Sequence, residues 1–290
     1  MRWIADDPDP ASRDELHRLL VAAMSGVDAR AGEELAERMA GPLRFGTAGL
    51  RGPVRAGPAG MNVAVVRRAT AGLAAWLTGQ GHAGGLVVVG RDARRGSAEF
   101  AAATAQVLAG AGFDVRAWAE PLPTPVLAHA VRALGAAAGV QVTASHNPAT
   151  DNGYKVFLGG DDGGAQLVEP ADAQVEAAIA ATPAAVRIPT AAVPPSDPAA
   201  LLDGYLARAS ALPRGSSRAL RIALTPMHGV GGAVAVRALR AAGFEDVHLV
   251  PGQAEPDPAF PTVPFPNPEE PGATAALLAL AADIDADLAV

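Results

Sequence analysis

The chain has 290 residues, enough for two domains of ordinary size. Half of them are apolar and 18% are charged, which excludes a disordered polyelectrolyte. A net charge of −7 argues against a broad nucleic-acid surface, and zero cysteines exclude disulfides and thiolate metal sites.

The opening M-R-W-I-A-D-D-P-D-P is acidic and lacks the apolar core of a secretory signal. The longest apolar stretch, 273–282, falls short of the roughly 20 residues that span a bilayer. Neither a membrane nor a nucleic acid is an expected partner. The cysteine count fits a reducing compartment, and a cytoplasmic location is expected.

Ser12 and Glu15 predict a capping box for a helix running to about Met24. A second helix is expected over 31–39. L-R-F-G-T-A-G-L-R-G, 43–52, reads as a short extended piece opening into a glycine-rich loop. Apolar residues three and four apart predict a helix over 62–78.

The pattern then becomes strand, loop, helix, strand. The apolar run 86–89 predicts a strand buried on both faces. The loop 90–96 follows, then a helix capped by Ser97 and lasting to about Ala109, then a strand over 114–118. Thr124 is read as the cap of the next helix. A strand over 137–143 carries Ser145 at its end.

The unit recurs as a strand over 221–224, a loop over 225–232, a helix over 233–241 and a strand over 247–250. A-G-F stands between helix and strand in both copies, a weak sign of duplication. The Pro-, Ala- and Thr-rich stretch 182–199 reads as the interdomain linker. The expected domains are 1–190 and 191–290. Residues 288–290 look like an incoming buried strand, which suggests a second domain that is incomplete. The fold class is therefore α/β: mainly parallel sheets with flanking helices, in repeated α/β domains. Loops at the carboxyl ends of such strands are the usual place for ligand chemistry.

The stretch T-A-S-H-N-P-A-T-D-N-G-Y-K, 143–155, is the most informative. Lys and Arg together number 23, and Lys155 is the sole lysine. Arginine cannot release a proton near neutrality, whereas a buried lysine can. Ser145 thus offers a hydroxyl nucleophile and Lys155 an amine that can carry a proton; a surface charge is the plainer alternative for Lys155. His146 adjoins Ser145, but side chains of neighbouring residues in extended chain point to opposite faces, which disfavours a hydrolase pair. No G-x-S-x-G elbow is present.

The loop G-R-D-A-R-R-G-S, 90–97, joins a strand to a helix N-terminus, where backbone amides suit an anion. A solvated Arg–Asp turn is an equal reading. It is neither a Walker loop nor a dinucleotide fingerprint. Arg44 and Arg51 flank the earlier glycine loop and either approach a phosphoryl group or brace the loop. H-G-V-G-G, starting at His228, reads on spacing alone as a tight turn. Residues 255–270 hold six prolines, a stiff loop that either positions a ligand or bridges two elements. No convincing closed metal site stands out.

Taken together, F-G-T-A-G-L-R-G, G-R-D-A-R, T-A-S-H-N-P-x-x-x-N-G-Y-K, T-P-M-H-G-V-G-G and F-P-T-V-P-F-P-N-P-E-E resemble the α-D-phosphohexomutase superfamily, in the family's order. The first and last of these look like its phosphopentomutase and glucose-1,6-bisphosphate synthase-like branch. The resemblance implies a phosphosugar mutase working through a phosphoserine at Ser145 and a bisphosphorylated sugar, with Mg2+ and a sugar bisphosphate primer. It implies that Arg51 neutralises phosphoryl charge and that Lys155 and His146 handle the hydroxyl proton. Arg44, Arg94, Asn147, Asn152 and His228 are the expected substrate and phosphate contacts, Asn147 and Asn152 also shaping the loop.

Ser145 is the one expected magnesium ligand here. The family's D-x-D-x-D-R loop, which carries the others, follows the strand that ends at Val290. The family has four domains, of which this chain covers the first and most of the second. G-P-A-G-M-N, 57–62, lacks an Arg often found before M-N in this branch, which leaves the sugar open. A catalytically incomplete sugar-phosphate-binding fragment is the second reading. A sugar kinase is a distant third, without any nucleotide loop.

Overall fold

The computed structural model describes residues 2–26, 29–46 and 48–290. Three helices open the chain: α1 (Arg2–Asp6), α2 (Pro10–Ser25) and α3 (Ala29–Arg38). The expected capping box is not formed. Asp9 caps α2, accepting the amides of Ala11 and Ser12 at 3.0 and 3.1 Å. Pro10 has no N–H to satisfy and its fixed φ suits the first helical position, so the helix starts ahead of Ser12. The Ser12 hydroxyl donates instead to Asp7, and Glu15 pairs with Arg38.

The large lobe then runs through β1 (Leu50–Pro53), α4 (Val63–Gly79), β2 (Leu86–Arg91), α5 (Ser97–Gly110), β3 (Asp114–Trp118), α6 (Thr124–Ala133), β4 (Ala138–Val142), β5 (Asp151–Leu158), β6 (Ala165–Gln166), α7 (Ala171–Ala180) and β7 (Pro195–Ser196). The strand order is β1-β5-β4-β2-β3-β7, with β6 on β5. The β4, β2, β3 and β7 pairings are parallel, and β1, β5 and β6 join antiparallel.

Val87, Val88 and Val89 of β2 are fully buried between two neighbouring strands, as their unbroken apolar run requires. One face of the sheet packs α4 and α5 around Leu73, Phe100, Leu108 and Tyr154. The other packs α6 around Val88, Trp118 and Leu127. Neither Ser97 nor Thr124 acts as a cap. Each is the first helical residue, behind Gly96 and Pro123.

The expected linker is not free. Ala185 and Ile188 are buried, the Ala191 amide donates to the Gln106 carbonyl at 2.9 Å, and β7 extends the sheet beside β3. The division expected near residue 190 falls inside this packed run. It leads to α8 (Ala199–Ser210), β8 (Ile222–Leu224), α9 (Gly232–Ala241), β9 (Val247–Leu249), α10 (Ala275–Asp283) and β10 (Leu288–Ala289). These strands form a parallel sheet of order β10-β8-β9, the small lobe.

Leu206 of α8 and Val234 of α9 join the same apolar cluster as Leu127 and Val131 of α6. That shared core seats the small lobe on the large one. β10 pairs only with β8 and leaves Leu288 and Val290 about half exposed, not buried as expected, because nothing packs on its outer side among the described residues.

Asn62 caps α4 and ties down the loop before it. Its Oδ1 accepts the Val65 amide at 3.0 Å, while Nδ2 donates to the carbonyls of Arg55, Gly57 and Gly60. Asn62→Ala removes the cap and orphans buried carbonyls. We expect it to lower unfolding stability by about 2–4 kcal/mol in urea melts. A change near zero would mean that this network is not maintained.

Candidate active site

β4 ends at Val142 and the chain reverses within nine residues into β5. The reversal occupies residues 143–150, and the last five residues of the 143–155 stretch already belong to β5. The Thr143 hydroxyl accepts the Ser145 amide at 3.1 Å. The carbonyls of Ala144 and Pro148 accept the amides of Asn147 and Asp151 at 3.1 and 3.0 Å. Ser145 lies at φ 56°, a left-handed conformation uncommon for a residue with a Cβ. The surroundings must therefore hold it there.

Arg94 supplies that hold. It is 5% exposed, and its guanidinium donates to four loop carbonyls. Nη1 reaches Pro148 at 2.7 Å and Asp151 at 3.1 Å; Nη2 reaches Ser145 at 3.0 Å and Asn147 at 2.7 Å. Nε faces Asp92 at 3.5 Å. Burial pushes the guanidinium below its usual pKa, while Asp92 and Asp151 oppose the shift. Its donors are committed to the loop, whereas the sequence reading assigns Arg94 to phosphate.

Asn152 is likewise turned into the loop. It is fully buried, and Nδ2 donates to the Arg95 carbonyl at 2.8 Å and the Ser97 hydroxyl at 2.9 Å. Ser97 in turn donates to Asp92. The 90–97 loop and the Ser145 loop are thus one hydrogen-bonded body.

The antiparallel return of β5 sets Lys155 opposite Gln141 on β4, and Arg51 of β1 opposite Gly153. Glycine is required at 153, since a Cβ there would lie 2.5 Å from the Thr143 carbonyl oxygen and 2.7 Å from that of Leu50. Gly49, at φ 77°, lets the glycine loop lie against β5, where a Cβ would meet the Tyr154 oxygen at 2.0 Å. Arg51 Nη1 lies 3.4 Å from Asn147 Oδ1, and Asn147 Nδ2 donates to Asp151 at 2.9 Å. Lys155 is half-buried. Desolvation first, then the Arg51 charge, lower its pKa below the ordinary 10.5.

Ser145 and His146 form one wall of a cleft of about 400 Å³. Asp92, Arg94, Gln141 and Thr143 continue that wall, and Thr225, His228, Gly229, Asp257 and Phe260 of the small lobe face it. His228 is buried, and its Nε2 lies 2.9 Å from the Thr262 hydroxyl. Gln253, 2% exposed, donates to Thr262 at 2.8 Å and accepts from Thr225 at 2.6 Å.

The structure therefore gathers Ser145, His146 and His228 at the cleft. Lys155, Arg51, Asn147 and Asn152 do not line it, and Arg44 is exposed outside it. Sequence reasoning did not single out Gln253, Thr262 and Phe260 as organisers, although Phe260 and Thr262 stand in the F-P-T-V-P-F-P-N-P-E-E motif. Asp92 entered it only as the acid of an Arg–Asp turn.

The carboxylates lining the cleft are Asp92 and Asp257. Asp92 accepts from the Arg94 amide and the Ser97 hydroxyl, and Asp257 from the Ala259 amide. Among the described residues, no group of three or more His, Asp or Glu side chains could hold a metal. A hard cation wants about six oxygen ligands. The described residues of this chain alone do not make a magnesium site.

Lys155 can be observed directly, because lysine labelling yields one side chain. Its NMR titration midpoint should lie below 10.5 and should rise in Arg51→Gln, which removes a repelling charge. Between the folded pKa and 10.5 the unfolded chain holds a proton that the folded one releases. Stability therefore rises with pH across that window, and Lys155→Met should flatten the rise. A midpoint at or above 10.5 would contradict the geometry.

The chain has known relatives. The domain I model described as "Phosphoglucomutase/phosphomannomutase, alpha/beta/alpha" matches residues 42–185, and the corresponding domain II model matches 203–290. A "Probable phosphomannomutase" of Haemophilus influenzae is 41% identical over 236 residues, covering 80% of this chain and 48% of that protein. The Saccharomyces cerevisiae phosphoribomutase is 35% identical over 318 aligned positions, covering 99% of this chain and 49% of that one. A phosphoglucomutase/phosphomannomutase family protein from Burkholderia thailandensis superimposes with a TM-score of 0.65 at 26% identity, covering 83% of this chain and 50% of that one. The chain spans about half the length of the curated relatives it matches. With both family models matching in order, the chain belongs to the phosphoglucomutase/phosphomannomutase family.

Proposed function

We propose that this chain is the phosphoserine-bearing part of a phosphosugar mutase, an isomerase of phosphorylated sugars in the cytoplasm. The observation that carries the reading is Ser145, a left-handed residue at the carboxyl end of β4 and on the cleft wall. Phosphoryl transfer needs positioning and charge neutralisation more than covalent help. In the reaction we infer, a sugar hydroxyl attacks the phosphorus on Ser145. The phosphorus–Oγ bond breaks, and the bisphosphorylated sugar forms. After the sugar turns over, its other phosphoryl group returns to Ser145 Oγ.

Lys155 receives the hydroxyl proton in this scheme, aided by a pKa held down by burial and by Arg51. Arg51 neutralises phosphoryl charge, and His146 and His228 contact the substrate across the cleft. Of the magnesium ligands that the family implies, Ser145 is the one that the described residues offer. We propose two domains, with the division after β7 instead of at residue 190, since β7 pairs with β3 in the large lobe.

The second reading, a sugar-phosphate-binding piece without turnover of its own, is favoured by the missing carboxylate cluster among the described residues. A coupled assay tests whether the chain turns over by itself, and phosphate on Ser145 in the full-length enzyme separates the two readings. The assay uses glucose 1-phosphate, mannose 1-phosphate and ribose 1-phosphate, with magnesium and a bisphosphate primer. The 290-residue chain should show no turnover, because losing metal stabilisation costs roughly a thousandfold or more. Turnover that Ser145→Ala abolishes would overturn this.

In the full-length enzyme, incubation with sugar bisphosphate should place about one phosphoryl group on Ser145, read by intact mass and fragmentation. Phosphate reproducibly elsewhere would remove the assignment. Lys155→Arg in that enzyme should lower turnover roughly 10²-fold or more, the usual scale for general acid–base catalysis. Near-normal turnover would reduce Lys155 to charge or packing.

A further inference from the structure

The Arg94 guanidinium is planar. Its donors are engaged in its own plane, which leaves two faces. One face is covered from the other lobe: the Phe260 ring centroid lies 4.9 Å from Arg94 Cζ. Phe260 belongs to the proline-rich loop 255–270 and is 9% exposed. Its φ is 48°, a true outlier for a bulky residue. Such strain persists only where the surroundings over-determine the conformation.

Those surroundings belong to the small lobe. The Phe260 amide donates to the Asp257 carbonyl at 3.2 Å, and the Val263 amide to the Phe260 carbonyl at 3.1 Å. The Asp257 amide reaches the His228 carbonyl at 3.0 Å. A continuous set of contacts thus runs from His228 through the loop to Phe260, across the cleft to Arg94, and on to the Ser145 carbonyl.

We propose that Phe260 is a positioning residue, whose ring on Arg94 makes the conformation of the Ser145 loop depend on the docking of the small lobe. With the ring in place, the guanidinium is dry and its bonds to the four carbonyls face no competition from water. With the ring withdrawn, one face hydrates and the loop loosens. Ser145 is then fully presented only when both walls of the cleft are together. The relevance to phosphoryl transfer rests on the role proposed for Ser145; the coupling does not.

Hydrogen exchange of the 290-residue chain, followed by mass spectrometry, tests this. Phe260→Leu keeps apolar bulk but removes the ring, and Phe260→Tyr keeps the ring. Phe260→Leu should speed exchange across 143–152 about threefold to thirtyfold, the range from an exposed to a desolvated cation–π contact, with α4 peptides unchanged. Phe260→Tyr should stay within about twofold of the parent, since the face on Arg94 is retained. Arg94→Lys, without the planar fork, should also loosen 143–152, and adding Phe260→Leu to it should add nothing.

Parent-like exchange in Phe260→Leu overturns the proposal. So does equal acceleration in Phe260→Tyr, equal acceleration in α4, or additive effects in the double variant. If Arg94→Lys does not fold, the Leu and Tyr pair decides alone. Absence of phosphate on Ser145 alongside the expected exchange pattern would remove the catalytic role and leave the coupling standing.

Discussion

The bonds from one guanidinium to four carbonyl oxygens underlie the rest of the site. A chain that reverses between two antiparallel strands within nine residues cannot pair all of its backbone groups in a ladder. Some carbonyls turn inward, and a buried carbonyl without a donor is costly. Arginine alone among side chains carries five donors in one plane. Arg94 meets the inward carbonyls, while Asp92 partly balances its charge from the far side at 3.5 Å. The left-handed Ser145 follows from this arrangement, because the surrounding carbonyls are held in place.

The cleft itself is made by apolar packing away from the chemistry. Leu206 and Val234 enter the cluster of Leu127 and Val131, and α8 and α9 are thereby held against α6. This seats the loops after β8 opposite the loop after β4. The polar network of Gln253, Thr262 and His228 lies at the small-lobe wall, with its side-chain hydrogen bonds formed within that lobe. Each wall is organised internally, and Arg94 on Phe260 is a direct contact between them.

Charge follows the sheet. Because β1 and β5 pair antiparallel, Arg51 and Lys155 come close enough for one to depress the pKa of the other. Two cations side by side on a half-buried surface form a place where an anion would relieve both repulsion and desolvation. The loop residue Asn147 meets Arg51 at 3.4 Å and so connects this positive patch to the turn that carries Ser145.

Much of the fold was legible locally. The Val87–Val89 run, the 3.6-residue spacing in α4 and the strand that ends ahead of Ser145 depend on residues within a few positions of each other. So do the motifs, which brought Ser145, Lys155, Arg51, Arg94, Asn152 and His228 to notice as residue types. Caps were less legible. Asp9 and Ser12 are both good caps, and Pro10 between them decided the matter.

Sequence by itself determined the α/β class, the order of the elements from α4 to β4 and from β8 to β9, and the set of chemically capable side chains. Only tertiary structure decided where those side chains point. Arg94 and Asn152 turn inward to partners more than fifty positions away, Lys155 returns on an antiparallel strand, and Phe260 reaches Arg94 from the other lobe. Such contacts arise from how lobes and sheets dock, and no local pattern of residues encodes them.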